Sequence, residues 1–254
     1  MDIQIDLNCD MGESFGMYKM GLDEEVIPHI SSANIACGFH AGDPRWMKAT
    51  VLLAENNGVA VGAHPSYPDL VGFGRRNMAV TSEEVKNDIT YQLGALQAFT
   101  KGKKLQHVKP HGAMYNQAVN DEDLAKAICE GVLNFDRDII LVALAGSKWV
   151  SIAKDMGLKV AAEIFADRAL NPDGSLVSRS QDGAVLHDVT EVIERSVVMV
   201  KDGVATAITG ELIEIEADSL CIHGDTTGAV EMAAGIRQGL EKNGVEIVPM
   251  SRLV

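Results

Sequence analysis

Short apolar segments alternate with longer amphipathic segments along most of the chain. Each apolar segment has the length and the Val, Ile, Leu and Ala content that are typical of a buried strand. We predict strands near residues 3–8, 33–38, 59–63, 105–109, 138–143, 158–164 and 218–222, with a last short strand near 245–248. The intervening segments have helical spacing, so the pattern predicts a chain of alternating strands and helices.

Several of the predicted helices have recognisable first residues. Asp43 followed by Pro44 is typical of an N-cap and a first-turn proline, and Gly58 lies just beyond the end of that helix. Thr81 and Glu84 form a capping-box pattern before Val85. We also expect Asn120 to open a helix over 121–133, and Thr226 or Thr227 to open the last long helix, which stops around Gly244.

Residues 165–217 break this alternation. They contain a long polar connection, a helix near 187–201 and a hairpin with strands at 205–209 and 212–215. No linker rich in Pro, Gly and Ser flanks the segment. We therefore expect one domain over residues 1–254, with an insertion at about 165–217.

Seven or eight strands that alternate with helices predict an α/β protein, and we favour an irregular (β/α) barrel of about seven strands. An open, doubly wound sheet is the alternative. Both architectures place active sites at the carboxyl ends of the strands, so the expected location of a site is the same in either fold.

Composition and charge exclude some classes of partner. The chain has 254 residues, of which 46% are hydrophobic and 23% charged, and its formal net charge is -14. Nucleic acid and anionic membranes are therefore not expected as partners, and an anionic substrate would need a local positive patch. The four scattered cysteines are expected to be buried thiols. Together with a first segment that lacks signal-peptide character, they predict a cytoplasmic protein.

Polar residues gather at or just beyond the carboxyl ends of six predicted strands. Because side chains alternate between the two faces of a strand, residues of the same parity share a face. The residues that share the polar faces near the strand ends are the candidate site residues: Asn8, Asp10, Asn34, His40, His64, Lys109, His111, Glu163, Asp167, His223 and Asp225. Six strands that each deliver such groups to one rim predict a functional site there.

These residue types support acid–base chemistry and anion binding. Asp10, Glu163, Asp167 and Asp225 are candidate general acids or bases. Lys109 and Arg168 suit a carbonyl or a carboxylate, and the histidines suit proton transfer or hydrogen bonding. The loop over 62–76 carries Gly72, Gly74, Arg75 and Arg76, which favour either an anion-binding lid or an ordinary surface loop.

No local motif identifies a cofactor. His and Asp residues from separate strands are plausible ligands for a divalent metal, but there is no H-E-x-x-H or comparable motif, so a metal is not predicted. The Walker A, G-x-G-x-x-G and G-x-S-x-G patterns are absent as well. A standard ATP or dinucleotide site is therefore not expected in this chain.

Taken together, these segments resemble the LamB/YcsF family over nearly the whole length and in the expected order. The matching stretches are D-L-N-C-D-M-G-E-S at 6–14, S-A-N-I-A-C-G-F-H-A-G-D-P at 32–44, G-A-H-P-S-Y-P-D with G-F-G-R-R at 62–76, V-K-P-H-G-A-M-Y-N at 108–116, E-I-F-A-D-R at 163–168, L-V-S-R at 176–179 and I-H-G-D-T at 222–226. The resemblance implies an irregular seven-stranded (β/α) barrel similar to the glycoside hydrolase/deacetylase superfamily. It also implies ATP-dependent opening of 5-oxo-L-proline to L-glutamate together with two further subunits, B and C, which would account for the missing nucleotide motif.

The implied reaction suggests roles for the candidate residues. Asp10 would orient or deprotonate water, with Glu163 or Asp225 as second choice, and Lys109 and His111 would stabilise the oxyanion. Arg168 or Arg75 would bind the substrate carboxylate or a phosphate. Two other functions stay open from the residues alone: a stand-alone metal-dependent amide or acetyl hydrolase, and a non-catalytic subunit that binds a small carboxylate.

Overall fold

A closed barrel of seven parallel strands forms the centre of the computed structural model, which describes residues 3–223 and 228–254. The strands are β1 (Ile3–Met11), β2 (Ser32–Ala36), β3 (Ala60–His64), β4 (His107–Val108), β5 (Ile140–Leu144), β6 (Lys159–Phe165) and β9 (Ser219–Ile222). They follow this order around the barrel, and β9 closes it by pairing in parallel with β1. The prediction of an irregular (β/α) barrel is confirmed, and the open sheet is not formed.

Helices and short extra strands surround the barrel. The helices are α1 (Asp23–Val26), α2 (Pro44–Asn56), α3 (Ser82–Gln97), α4 (Gly112–Ala118), α5 (Glu122–Phe135), α6 (Lys148–Asp155), α7 (Val189–Asp202) and α8 (Ala229–Lys242). The short strands are β7 (Val204–Thr206), β8 (Leu212–Glu214) and β10 (Val245–Ile247), and 3₁₀ turns occupy Ile27–His29, Lys101–Lys103 and Met250–Arg252.

The first strand pairs with three neighbours. Its amino-terminal part, Ile3–Ile5, pairs with β10, whereas Asp6–Cys9 pairs with β9 and Asn8–Met11 pairs with β2. The pairing with Ala33–Ile35 of β2 keeps β1 extended beyond residue 8, so the strand is longer than the predicted 3–8. This extension carries Asp10 to the upper end of the barrel.

Side-chain parity divides the strands into an apolar outer face and a largely polar inner face. Ile5, Leu7 and Cys9 of β1 are buried in the apolar layer outside the barrel. Asp6 and Asn8 alternate with them and are also buried, but they take part in a side-chain network inside the barrel. Strands buried on both faces are what a barrel wrapped by helices requires.

Two of the three predicted helix starts that lie within the described residues are confirmed. Asp43 accepts hydrogen bonds from the backbone N–H groups of Arg45 and Trp46, and Thr81 with Glu84 forms the capping box. The start of α5 is the exception, because the side chain of Asp121, and not that of Asn120, accepts hydrogen bonds from the backbone N–H groups of Asp123 and Leu124. Thr226 and Thr227 lie outside the described residues.

Strand β4 is shorter than the predicted 105–109. It keeps only His107 and Val108 as a strand, and Pro110, which has no N–H to donate, follows soon after. Gln106 and Lys109 still donate their backbone N–H groups to the carbonyls of Val61 and Ala63 in β3. Lys109 is therefore held in register with the barrel although it lies beyond the strand.

The segment between β6 and β9 holds α7 and the antiparallel pair β7–β8. Arg195 of α7 donates hydrogen bonds to the carbonyls of Phe165, Ala166 and Arg168, which attaches the helix to the end of β6. The helix thus supports the backbone that carries Asp167 and Arg168.

The four cysteines Cys9, Cys37, Cys129 and Cys221 are buried thiols, and none forms a disulfide within the part of the chain that the structure describes. In residues 3–223 and 228–254, no helix combines the length and the apolar character needed to cross a bilayer.

Candidate active site

A hydrogen-bonded network of buried polar side chains fills the middle of the barrel. The amide of Asn8 donates to Glu163 Oε1 at 2.9 Å and to Ser219 Oγ at 2.7 Å. The amide of Asn34 donates to Asn8 Oδ1 at 2.7 Å and to Asp10 Oδ1 at 2.9 Å. Buried polar groups are stable only when they are paired in this way, so the network fixes these side chains rigidly.

Lys109 joins this network to the upper end of the barrel. Its ammonium lies 3.0 Å from Asp10 Oδ1, 3.0 Å from Glu163 Oε1 and 3.2 Å from Asn8 Oδ1. It also lies 3.0 Å from the sulfur of Cys221. Burial disfavours the charged lysine, but Asp10 next to it, followed by Cys221 and Glu163, raises the pKa of Lys109 well above its ordinary value. Lys109 is therefore a fixed cation.

Asp10 is a fixed anion at the same place. Burial alone would raise the pKa of the Asp10 carboxyl, but His64 and Lys109 outweigh burial and hold that pKa well below its usual range. Its second oxygen, Oδ2, lies 3.3 Å from His64 Nε2. Asp10 and Lys109 thus form a charged pair at the top of the network.

Three histidines and Glu13 lie beside Asp10, and we call these four residues the Glu–His cluster: Glu13, His40, His64 and His111. The ring of His40 stacks on that of His111 at 3.8 Å, whereas the ring of His64 is nearly perpendicular to His111. Glu13 Oε1 lies 3.1 Å from His40 Nε2. Burial, and then the neighbouring histidines, lower the pKa values of His40 and His111 well below the ordinary value, which favours neutral imidazoles.

A cavity of about 560 Å³ opens above these groups at the carboxyl ends of the strands, and we call it the rim cavity. This volume lies within the range that is usual for small-molecule sites. Its lining includes Asp10, Glu13, His64, Arg75, Lys109, His111, Tyr115, Phe165, Arg168, Arg179 and His223. Four of these side chains are cationic, so a local positive patch exists in a chain whose net charge is -14.

Arg168 is the most buried of the three arginines in this lining, with 5% of its surface exposed. Its Nε donates to the carbonyl of Ala184 and its Nη2 donates to the carbonyl of Val177. Arg168 thereby holds the segment that carries Ser178 and Arg179 against the rim cavity. Arg75 and Arg179 are exposed and stand at the mouth of the cavity.

His223 and Asp167 form an ion pair at the rim cavity. His223 Nδ1 lies 2.8 Å from Asp167 Oδ1 and 2.9 Å from Asp167 Oδ2. Burial disfavours the imidazolium, but the Asp167 carboxylate outweighs burial and raises the pKa of His223. The His223 ring also stacks on Phe165. Asp167 therefore positions His223, which faces the rim cavity.

The structure brings seven of the predicted site residues to the lining of the rim cavity: Asp10, His64, Arg75, Lys109, His111, Arg168 and His223. Five others lie behind it and support those seven: Asn8, Asn34, His40, Glu163 and Asp167. Asp225 lies outside the described residues. In the loop over 62–76, Arg75 reaches the cavity, whereas Arg76 is paired with Asp69.

Some members of the site were not predicted from the sequence. Glu13, Tyr115, Phe165 and Arg179 line the rim cavity, and Cys221 contacts Lys109. Two of them could have been found from strand parity, since Cys221 shares a face with His223, and Phe165 shares a face with Glu163. Glu13 and Tyr115 lie on a turn and a helix, where strand parity gives no information.

Comparison with solved structures first defines the class of fold. A structure titled "T48 deacetylase with substrate" matches with a TM-score of 0.52 at 14% identity, and the match covers 99% of this chain and 90% of that chain. This likeness concerns the fold alone, and it shows that the two chains share a (β/α) barrel.

The chain belongs to the LamB/YcsF family, whose family model matches residues 5–254. It is 60% identical over 254 residues to a protein of Thermococcus onnurineus (strain NA1) that is named as the A subunit of 5-oxoprolinase, and the match covers 99% of this chain and 100% of that relative. It is also similar to a solved structure described as the lactam utilization protein from Thermus thermophilus. That match has a TM-score of 0.92 at 46% identity and covers 97% of this chain and 99% of the other.

Proposed function

We propose that this chain is the A subunit of an ATP-dependent 5-oxoprolinase, which opens the lactam ring of 5-oxo-L-proline to give L-glutamate. The observation that carries this proposal is the pair Asp10–Lys109 at the base of a cavity lined by three arginines. Such a site offers both a charged pair for a reacting carbonyl and guanidinium groups for an anionic substrate. The names of the relative and of the solved structure support the same substrate class.

ATP is needed because an unactivated lactam is a poor electrophile. Transfer of the γ-phosphoryl group to the amide oxygen would convert that oxygen into a good leaving group. Attack by water on the ring carbon and cleavage of the C–N bond then give γ-glutamyl phosphate, and a second water hydrolyses this acyl phosphate to glutamate and phosphate. We assign the handling of ATP mainly to subunits B and C, because this chain has no recognised nucleotide motif.

Asp10 is our candidate for positioning the attacking water. Its carboxylate lines the rim cavity, whereas Glu163 is fully buried below it and accepts hydrogen bonds from Asn8 and Lys109. The lowered pKa of Asp10 keeps it ionised, so it is suited to accept a hydrogen bond from water. Glu163 is better placed to hold Asn8 and Lys109 than to contact a substrate.

Lys109 is our candidate for stabilising the oxyanion. Of the two residues considered for this role, His111 has both ring nitrogens engaged, one with the carbonyl of Phe73 and one with His64. Lys109 carries a permanent positive charge next to Asp10. We assign the substrate carboxylate, or the phosphate of the activated form, to Arg75 and Arg168, with Arg179 beside them.

The test is reconstitution of the purified chain with its candidate B and C subunits. We expect 5-oxoproline to drive ATP hydrolysis and glutamate formation only in the complete complex. Asp10→Asn and Lys109→Met should each lower kcat by about 10²-fold or more, because each removes charge stabilisation at the reacting carbonyl.

Lys154→Met is the matched control, since Lys154 is exposed on α6 away from the rim cavity. Thermal unfolding of each variant shows whether it is folded at the assay temperature. Near-normal turnover in both site variants contradicts the assignment of Asp10 and Lys109. Glutamate formed by this chain without ATP would instead support a stand-alone hydrolase.

A further inference from the structure

Two imidazole nitrogens in the Glu–His cluster lie close together on the sides of their rings that face away from the backbone. His64 Nδ1 lies 2.6 Å from the carbonyl oxygen of Lys109, and His111 Nε2 lies 2.9 Å from the carbonyl oxygen of Phe73. A carbonyl oxygen only accepts hydrogen bonds, so each of these nitrogens carries a proton. The remaining nitrogens, His64 Nε2 and His111 Nδ1, lie 2.9 Å apart, and His64 Nε2 also lies 3.3 Å from Asp10 Oδ2. In the neutral form of each ring, this remaining nitrogen is the one that can bind a metal ion.

Glu13 adds a third donor at the same point. Its Oε1 lies 3.6 Å from His111 Nδ1, and the ligand atoms of Glu13, His64 and His111 lie within 4.8 Å of one another. Ligand atoms at about 2.1 Å from a tetrahedral ion are separated by about 3.4 Å, close to the spacing seen here. We propose that Glu13, His64 and His111 bind one divalent transition-metal ion, with Zn²⁺ as the preferred species.

The groups behind these three residues are those that a metal site requires. Metal-binding histidines usually donate their second N–H group to a carbonyl or a carboxylate, which fixes both the tautomer and the orientation of the ring. His64 and His111 each donate to a backbone carbonyl. Their ring planes are nearly perpendicular, at 89°, so both rings can direct a lone pair at one ion.

His40 has a different role. Its ring is parallel to that of His111, with an interplanar angle of 3°, and one ion cannot lie in both parallel planes. Its Nε2 is within hydrogen-bonding distance of Glu13 Oε1, at 3.1 Å. We therefore assign His40 as a positioning residue that orients the Glu13 carboxylate, and not as a ligand.

The donor set and its location define the kind of site. Two imidazoles and one carboxylate suit Zn²⁺, Co²⁺ or Mn²⁺ better than Mg²⁺ or Ca²⁺, which prefer oxygen ligands. The three ligands line the rim cavity, and His40 does not. Three protein ligands would leave a coordination position for water or substrate, and all three ligands line the cavity together with Asp10. Metal binding here does not depend on the identity of the substrate.

A second group of potential ligands, Asp10, Cys221 and His223, is less suitable. Asp10 Oδ1 and the sulfur of Cys221 already accept hydrogen bonds from Lys109, and His223 Nδ1 is paired with Asp167. A permanent ammonium at 3.0 Å from two of the three donors opposes a second cation. The two sites differ in one testable respect, because only the second contains a sulfur.

The experiment is metal titration of the purified full-length chain after treatment with a chelator. We expect calorimetry to show saturable binding of one Zn²⁺ per chain, and Zn²⁺ to raise the Tm. Glu13→Gln and His111→Asn should each weaken binding on the order of 100-fold or more, whereas His40→Gln, which keeps a donor for Glu13, should weaken it about 10-fold or less. His187→Gln is the control, since His187 is exposed and distant in the chain from the ligands, and it should bind like the wild type.

Co²⁺ absorption of the wild-type protein gives a second readout that needs no variant to fold. A visible ligand-field spectrum without a thiolate charge-transfer band supports the proposed nitrogen and oxygen ligands. A sulfur-to-cobalt band places the ion at Cys221 and overturns the assignment. The assignment is also overturned if no saturable binding occurs, or if folded Glu13→Gln and His111→Asn variants bind as tightly as the wild type.

Discussion

His223 shows how one neighbour determines the charge of a residue in the rim cavity. The Asp167 carboxylate contacts His223 Nδ1 with both of its oxygens, and it raises the pKa of the imidazole against the effect of burial. Burial alone would raise the pKa of Asp167. The charge and the hydrogen bond of His223 outweigh burial, so the pKa of Asp167 is lowered. Both shifts favour the ion pair, which lies on the wall of the cavity.

We expect this ion pair to make stability depend on pH in a defined direction. A histidine whose folded-state pKa is raised contributes stability that is fully present below its unfolded pKa of about 6.5 and is lost as pH rises through the folded value. His223→Gln should therefore lower the Tm more at about pH 5.5 than at about pH 8.5, where a smaller fraction of the wild-type imidazole is protonated. Thermal unfolding of both proteins at the two pH values measures this.

The exposed His187 offers a matched comparison for the same measurement. His187→Gln should change the Tm equally at both pH values. An equal loss of Tm at the two pH values for His223→Gln would show that the residue acts through packing on Phe165 and not through its charge.

Part of the site could be predicted residue by residue. Strand parity assigned Asp10, His64, Lys109 and His223 to one rim because a strand has a fixed alternation. Glu13 could not be predicted, because its position depends on the turn that follows β1 and not on any period. The orientation of His111 likewise depends on Phe73, whose positive φ angle belongs to the turn that directs its carbonyl to His111.

Among the elements, β3 shows why one position must lack a side chain. A Cβ placed on Gly62 would lie 2.1 Å from Nε2 of His107, in the neighbouring strand. The imidazole cannot move aside easily, since Nε2 contacts Asn34 Oδ1 at 2.7 Å and the ring is fully buried. Burial, and then the charge of Lys109, lower the pKa of His107 to about 3, so this ring is a neutral part of the core.

Gly62→Ala should therefore destabilise the protein by about 3 kcal/mol, as overpacking of a rigid core does. Urea unfolding monitored by circular dichroism gives the free energy of unfolding. The control is Gly94→Ala in α3, where the nearest atom to a new Cβ is 3.8 Å away, and a gain of up to about 1 kcal/mol is expected in a helix. A Gly62→Ala variant as stable as the wild type would contradict the packing described for His107.

The elements themselves were largely predictable, and the differences have local causes. All eight predicted strands and the predicted hairpin are present in the structure. They could be predicted because apolar runs bounded by turn residues are typical of strands. Their ends differ by a few residues where pairing decides the boundary. β1 continues through Asp10 because β2 offers partners, and β4 is short where Pro110 interrupts it.

In the whole molecule, the last residues of the chain reach into the barrel. Met250 is fully buried against Ile140, Val142 and Ala161, which lie on the inner faces of β5 and β6. These residues precede Leu144 and Glu163 along their strands, so Met250 fills the interior at the end opposite the rim cavity.

We expect Met250→Ala to lower the free energy of unfolding by about 3 kcal/mol, because it leaves a cavity that a closed barrel cannot easily collapse. Met17→Ala is the control, since Met17 is 90% exposed and should have almost no effect. Chemical denaturation of both variants provides the comparison. Equal stabilities of the two variants would show that the carboxyl terminus does not contribute to the interior.

The pairing of β1 with β2, β9 and β10 has a consequence for how the chain acquires its structure. Residues 3–9 obtain two of their three neighbouring strands only when residues 219–222 and 245–247 have been synthesised. Contacts between such distant parts of a chain are slow to form. The nascent chain must therefore keep the strand-forming segment 3–9 unpaired on two sides until these later residues have been made. Closure of the barrel, and with it the union of Asp10 with Lys109 and Cys221, is expected as a late event that follows synthesis of residues 219–247.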